Sequence, residues 1–139
     1  MKRILLALTI TFSTVFNAIS AQDQQTIKVT IDNIKTDQGA IQVGLYNTKA
    51  TFLKNTYKTI RTKAKKGSVE VIFKDIPKGE YAISLYHDVD NDNQLDTFWR
   101  IPQEPYNTSN NAKRKFGPPL WKDAKFNLDN QEVHQTINL

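Results

Sequence analysis

Apolar and polar residues alternate with period two through most of this chain, the pattern of strands that bury one face. Ile27, Val29 and Ile31 share one side, while Lys28, Thr30 and Asp32 share the other. Gly39 interrupts the run, and Ile41, Val43 and Leu45 resume it. Positions 57–64 are β-prone but carry Lys58, Arg61 and Lys63. They predict an exposed or edge strand, because lysine on an edge discourages pairing with another chain. Val69, Val71 and Phe73 lead into Asp75-Ile76-Pro77-Lys78-Gly79, and Tyr81, Ile83 and Leu85 return. Pro77 presets φ for that turn, and Gly79 is expected to supply its positive φ. Phe126 and Leu128, a turn at Asp129-Asn130, and Val133, Ile137 and Leu139 predict two closing strands. No segment sustains a helical period, and Thr51 to Thr56 has room for one turn. About seven short strands separated by turns predict an all-β, single-domain, immunoglobulin-like β-sandwich over 22–139.

The rhythm fails from Val89 to Lys122, a stretch of 34 residues. Loops longer than about 15 residues are usually functional or disordered. This one, 89–122, holds both tryptophans, Trp99 and Trp121, with Phe98, Tyr106 and Phe116. So much apolar surface predicts an ordered excursion with its rings packed on the end of the sandwich. Together with the amides of Asn110 and Asn111, Trp99, Tyr106 and Trp121 also make a candidate ligand surface, since rings stack and amides hydrogen-bond. Lys113-Arg114-Lys115 within it is expected to be a solvated charge run.

That excursion opens on Asp88-Val89-Asp90-Asn91-Asp92-Asn93-Gln94-Leu95-Asp96. Carboxylates this close repel one another unless they are well solvated or share a cation. Hard oxygen donors in a turn suit Ca²⁺. Aligned to a calcium loop, Asp88, Asp90 and Asp92 take the first side-chain positions, Gln94 offers its carbonyl, and Asp96 ligates directly or through water. Asn93 stands where glycine makes the sharp turn, and asparagine tolerates left-handed φ. Trp99 stands where a bidentate glutamate closes the loop, so the site is at best incomplete. The competing reading is an Asp/Asn turn whose side chains cap backbone amides. His87 is expected at the rim, hydrogen-bonded to the loop, and His134 on the outward side of the last strand.

Lys2 and Arg3, an apolar run over 4–16, and small residues at Ala18, Ser20 and Ala21 predict a cleaved secretory leader over 1–21. The apolar run is shorter than the roughly 20 residues that span a bilayer. No membrane span is therefore expected after cleavage, and the expected location is periplasmic or secreted. Without Lys2 and Arg3, 17 basic residues face 14 acidic ones, a net charge near +3. So small an excess on an exported chain argues against nucleic acid as a partner. With no cysteine, stability must come from packing and from any bound ion. Two histidines and no thiol make a zinc centre uncommon, and no Gly-x-Ser-x-Gly elbow is present.

Several segments in sequence order carry a family resemblance. They are Gly39-Ala40-Ile41-Gln42-Val43-Gly44-Leu45-Tyr46, the hairpin from Phe73 to Ile83, and His87-Asp88 through Leu95-Asp96. Ile101-Pro102, Ser109-Asn110-Asn111-Ala112 and Phe116-Gly117-Pro118-Pro119 follow. This order resembles the exported bacterial family catalogued as domain of unknown function 2141, over about Ile27 to Leu139. The resemblance implies an exported single domain and carries over no activity or catalytic residue. A glycine commonly follows the acidic run in that family, where this chain has Asn93. The hairpin is also similar to that of transthyretin-like and related prealbumin-type sandwiches, which implies a prealbumin-like fold and not a function. The expected function is a non-enzymatic binding or accessory domain for an envelope protein, peptide or glycan, in which an acidic loop holding Ca²⁺ organises an aromatic surface. The alternative is a small cell-envelope hydrolase using the acidic-loop carboxylates with His87 and Glu104.

Overall fold

Each alternating segment forms a strand in the computed structural model, which describes residues 25–129 and 132–139. The expected leader and Asn130 of the expected closing turn lie outside the described residues. Strands β1 (Gln25–Ile34), β2 (Ala40–Tyr46), β3 (Lys58–Lys63), β4 (Gly67–Ile76) and β5 (Gly79–Asp88) come first. Four short strands follow: β6 (Thr97–Phe98), β7 (Ile101–Pro102), β8 (Tyr106–Thr108) and β9 (Phe126–Leu128). A one-turn helix α1 (Trp121–Ala124) precedes β9, and β10 (Glu132–Asn138) ends the chain. The expectation of about seven strands is thus exceeded by β6, β7 and β8, which are too short to display an alternation.

One sheet has the order β10-β1-β4, and the other β3-β2-β5-β8 with β9 also paired to β5. The basic strand β3 lies at an edge, as its lysines predict. Their inner faces share one core. Ile27, Val29 and Ile31 meet Ile41, Val43, Leu45, Ile83 and Leu85, all without solvent exposure. Burying each such side chain contributes about 1.5–3 kcal/mol. The fold is therefore a β-sandwich whose core follows the period-two pattern. A smaller apolar cluster of Tyr46, Phe52, Ala82 and Ala124 packs against Trp121 at one end. Among the described residues no helix is long and apolar enough to cross a membrane.

Two local expectations are corrected. Gly79 does not supply a positive φ. It is already the first residue of β5, paired with Leu128, and the left-handed position falls on Asp75 at φ 58°. The Tyr81 hydroxyl holds that turn by donating to the Pro77 carbonyl at 2.8 Å. The rings of the long excursion also do not pack on the sandwich as a group: Phe98, Trp99 and Phe116 are 65, 84 and 77% exposed. Of the two tryptophans, Trp121 is the one that is half-buried, edge-on to Phe52 at 5.6 Å.

Polar groups tie the excursion down instead. Buried Ser109 accepts the Ile83 amide at 2.9 Å and donates to the Ala124 carbonyl at 2.5 Å. Asn110 Nδ2 donates to the carbonyls of Asp123 and Lys125, and Asn111 Nδ2 to that of Thr136. Asn107 Nδ2 reaches the Asn138 carbonyl at 2.7 Å. Ser109→Ala should therefore cost about 1–3 kcal/mol, because it strands a buried amide and a buried carbonyl. Urea denaturation measures this, and a loss below about 0.5 kcal/mol would contradict the anchoring role.

Candidate functional site

The acidic loop leaves the end of β5 beside Gly39 and Ala40, where β2 begins. Its backbone is shaped by its own carboxylates. Asp90 accepts the Asp92 amide at 3.2 Å, and Asp92 accepts the Gln94 amide at 2.7 Å. Asn91 and Asn93 take left-handed φ of 64° and 66°, a conformation asparagine adopts more readily than most residues. Asn93 thereby fills the glycine position of the calcium-loop alignment.

Asp88 differs from the other acids. It is fully buried, and Arg61 of β3 donates to it from Nη1 at 2.7 Å. The amides of Asp92 and Asn93 donate to its two oxygens at 3.2 and 3.0 Å. Burial pushes the Asp88 carboxyl up, but the Arg61 hydrogen bond, the Asn93 and Asp92 amides and the Arg61 charge together hold it below its ordinary value. Arg61 also donates from Nη2 to Asn91 at 2.8 Å, so one guanidinium ties the edge strand to the loop.

Two carboxylate clusters result, each with one oxygen per residue within 4.8 Å of the others. Asp90, Asp92 and Asp96 form an exposed cluster, and Asp88, Asp90 and Glu104 a mostly buried one. Asp90 belongs to both. The Asp96 carboxyl is raised by desolvation and by the charges of Asp90, Asp92 and Asp88. Glu104 is the residue that sequence reading left out of the ion site. It is buried, and its oxygens accept the amides of Val89 at 2.8 Å and Asp96 at 3.2 Å. No spacing rule reaches from Asp96 to Glu104 within Ile101-Pro102-Gln103-Glu104-Pro105.

His87 is buried beneath the loop, its Nε2 donating to the Gln38 carbonyl at 2.6 Å and its amide to the Pro105 carbonyl at 2.8 Å. The expected rim position is thus corrected: the ring is buried and bonds the connection between β1 and β2 instead of the acidic loop. His134 lies on the outer face, 2.8 Å from the Thr30 hydroxyl. Gln94 is exposed, with its amide on Asp92.

The same loop forms the base of a hairpin. Gln103 donates its amide to the Asp96 carbonyl at 2.8 Å, and β6 pairs β7 above it. Trp99 and Arg100 make the turn with φ of 49° and 63°. Two successive left-handed residues are usually Asn-Gly in such hairpins. The hairpin displays Phe98, Trp99 and Ile101, with Ile101 62% exposed. The other proposed surface residues lie elsewhere. Tyr106 is exposed on β8, Asn110 and Asn111 bond inward as described, and Trp121 packs on Phe52. Lys113, Arg114 and Lys115 are exposed, with Lys115 Nζ 5.8 Å over the Phe116 ring.

Among known proteins, a family model described as an uncharacterized protein conserved in bacteria, domain of unknown function 2141, matches residues 29–136. No curated protein and no solved structure matches the chain.

Proposed function

The chain belongs to the bacterial family of domain of unknown function 2141, and from that premise we propose an exported, non-catalytic accessory domain. Its acidic loop takes Ca²⁺, and the ion stiffens an aromatic hairpin that docks on an envelope protein, peptide or glycan. The observation that carries this reading is the role of Asp96. Its carboxylate belongs to the exposed acidic cluster, while its amide and carbonyl close the base of the hairpin through Glu104 and Gln103. Desolvation and, after it, like charge raise Asp96, and a cation among Asp90, Asp92 and Asp96 removes the repulsion and so steadies that base. Phe98, Trp99 and Ile101 then stand on a rigid support, which lowers the ordering cost of docking them. Asp88 and Glu104, the buried acids of a hydrolase reading, already hold Arg61 and backbone amides. The acidity of Asp88 is strengthened rather than weakened, which does not suit a general acid near neutral pH.

Thermal melts of the full chain in millimolar Ca²⁺ and in chelator test the ion. An ion at ten times its Kd adds about 1.4 kcal/mol, so the expected rise is several degrees. Asp90→Asn, at the residue common to both clusters, should abolish it. Asp96→Asn should raise the melting temperature in chelator while shrinking the response to Ca²⁺, because it removes a repelled charge. A melting temperature indifferent to Ca²⁺ would sink the proposal.

A further inference from the structure

At the end of β2 and β5 opposite the acidic loop, where Tyr46 pairs with Ala82, lies an open groove of about 590 Å³. Its walls are Phe52, Leu53, Pro119, Leu120 and Trp121. The small cluster of Tyr46, Phe52, Ala82 and Ala124 braces it from beneath, with Tyr46 edge-on to Phe52 at 5.4 Å. Four lysines line the groove as well, Lys49, Lys54, Lys122 and Lys125. Lys125 is paired with Glu80. Lys49, Lys54 and Lys122 make no ion pair among the described residues. An apolar floor under uncompensated positive charge is complementary to an apolar anion.

Leu53 adds a second observation. It holds a left-handed φ of 59° and is 38% exposed. Such a conformation costs a branched residue about 1–3 kcal/mol, and Asn or Gly would relieve it. Local stability therefore does not explain a leucine here, whereas a wall of the groove does.

The backbone around the groove narrows the ligand further. None of the lining residues belongs to a strand, so no sheet edge is open to a peptide. Pro118 and Pro119 offer no N–H. The amides of Phe52, Lys54 and Lys125 already donate to the carbonyls of Thr48, Thr51 and Trp121. A peptide laid here would gain no backbone pairing from the groove, whereas a hydrocarbon chain needs none. The volume lies within the roughly 300–1,000 Å³ of small-ligand sites. We infer that this groove binds a fatty-acid-class ligand, an alkyl chain against Phe52, Leu53, Leu120 and Trp121 with its carboxylate among the lysines.

Trp99→Phe leaves Trp121 as the single tryptophan and makes it a reporter at the groove. Decanoate, below its micelle-forming concentration, should change Trp121 fluorescence saturably. Butyrate, six methylenes shorter, should bind at least about a hundredfold more weakly. Decyl maltoside, with the same chain and no charge, should lose about tenfold or more. The double charge reversal Lys49→Glu with Lys122→Glu should do likewise. Leu53→Asn should raise the melting temperature and weaken decanoate, which guards against reading a misfolded variant as a lost site. Equal affinity for decanoate and decyl maltoside, undiminished binding by Leu53→Asn, or no saturation would each overturn the inference.

Discussion

Gly39→Ala is expected to destabilise the protein by about 3–5 kcal/mol, although it adds a single methyl. Gly39 has φ of +72°, where a Cβ is strained in any surroundings. The surroundings here are worse than open. The new atom would stand 2.0 Å from the Asp88 carbonyl oxygen and 2.7 Å from Val89 Cα. Both are backbone atoms at the start of the acidic loop, so no side-chain rotation relieves the contact. Gly39 also accepts the Ala64 amide at 3.2 Å and precedes the Ala40–Asp88 pairing of β2 with β5. The strand start and the loop must therefore separate together. Urea denaturation should show the loss, and any Ca²⁺-dependent rise in melting temperature should fall with it. A variant within 1 kcal/mol of the parent would refute the close approach.

Arg61→Leu is expected to cost about 2–3 kcal/mol at pH 7. Breaking a buried ion pair costs about 3–5 kcal/mol, and the lower figure reflects a guanidinium that is partly open to solvent. The pH dependence identifies the cause. In the parent, the Asp88 carboxyl lies below its unfolded value. Its contribution is present above that value, near pH 4, and is lost as pH falls through the lower folded value. Without Arg61, burial is opposed only by the Asn93 and Asp92 amides, and the folded carboxyl rises. The variant then recovers stability as the pH is lowered, because protonation removes the unpaired charge. The deficit between parent and variant should shrink from pH 7 to pH 4. A constant deficit would mean that Arg61 acts through packing alone.

The core was legible because its strands are long enough to show their period. Ile27, Val29 and Ile31 read as one face and are one face. The basic composition of β3 predicted an edge, since charge on both sides cannot be buried. Phe126 and Leu128 read as a strand and form β9, whereas β6, β7 and β8 were not legible, because two or three residues carry no period. The acidic run was visible as a cluster of charge, but the partners that define it were not. Arg61 and Glu104 lie 27 and 16 residues away from Asp88, and their approach is set by strand pairing that no local spacing encodes. The exposed rings of Phe98 and Trp99 were misplaced for a related reason. Hydrophobicity argues for burial, yet a hairpin closed at its own base can hold rings away from the sheets. Asn110 and Asn111 read as a ligand surface from their chemistry, whereas their amides bond internal carbonyls.

The parallel pairing of β1 with β10 carries a kinetic consequence. Thr26 pairs with Glu132 and Ile31 with Ile137, so the first sheet closes across 106 residues of chain. Ordering a loop of that length costs about 4 kcal/mol of entropy before the contact returns anything. Sandwiches dominated by such distant pairings fold in milliseconds to seconds. The core therefore stays incomplete until β10 has been made. Until β10 is in place, the outer side of β1 is an unpaired edge, a template for pairing with another chain.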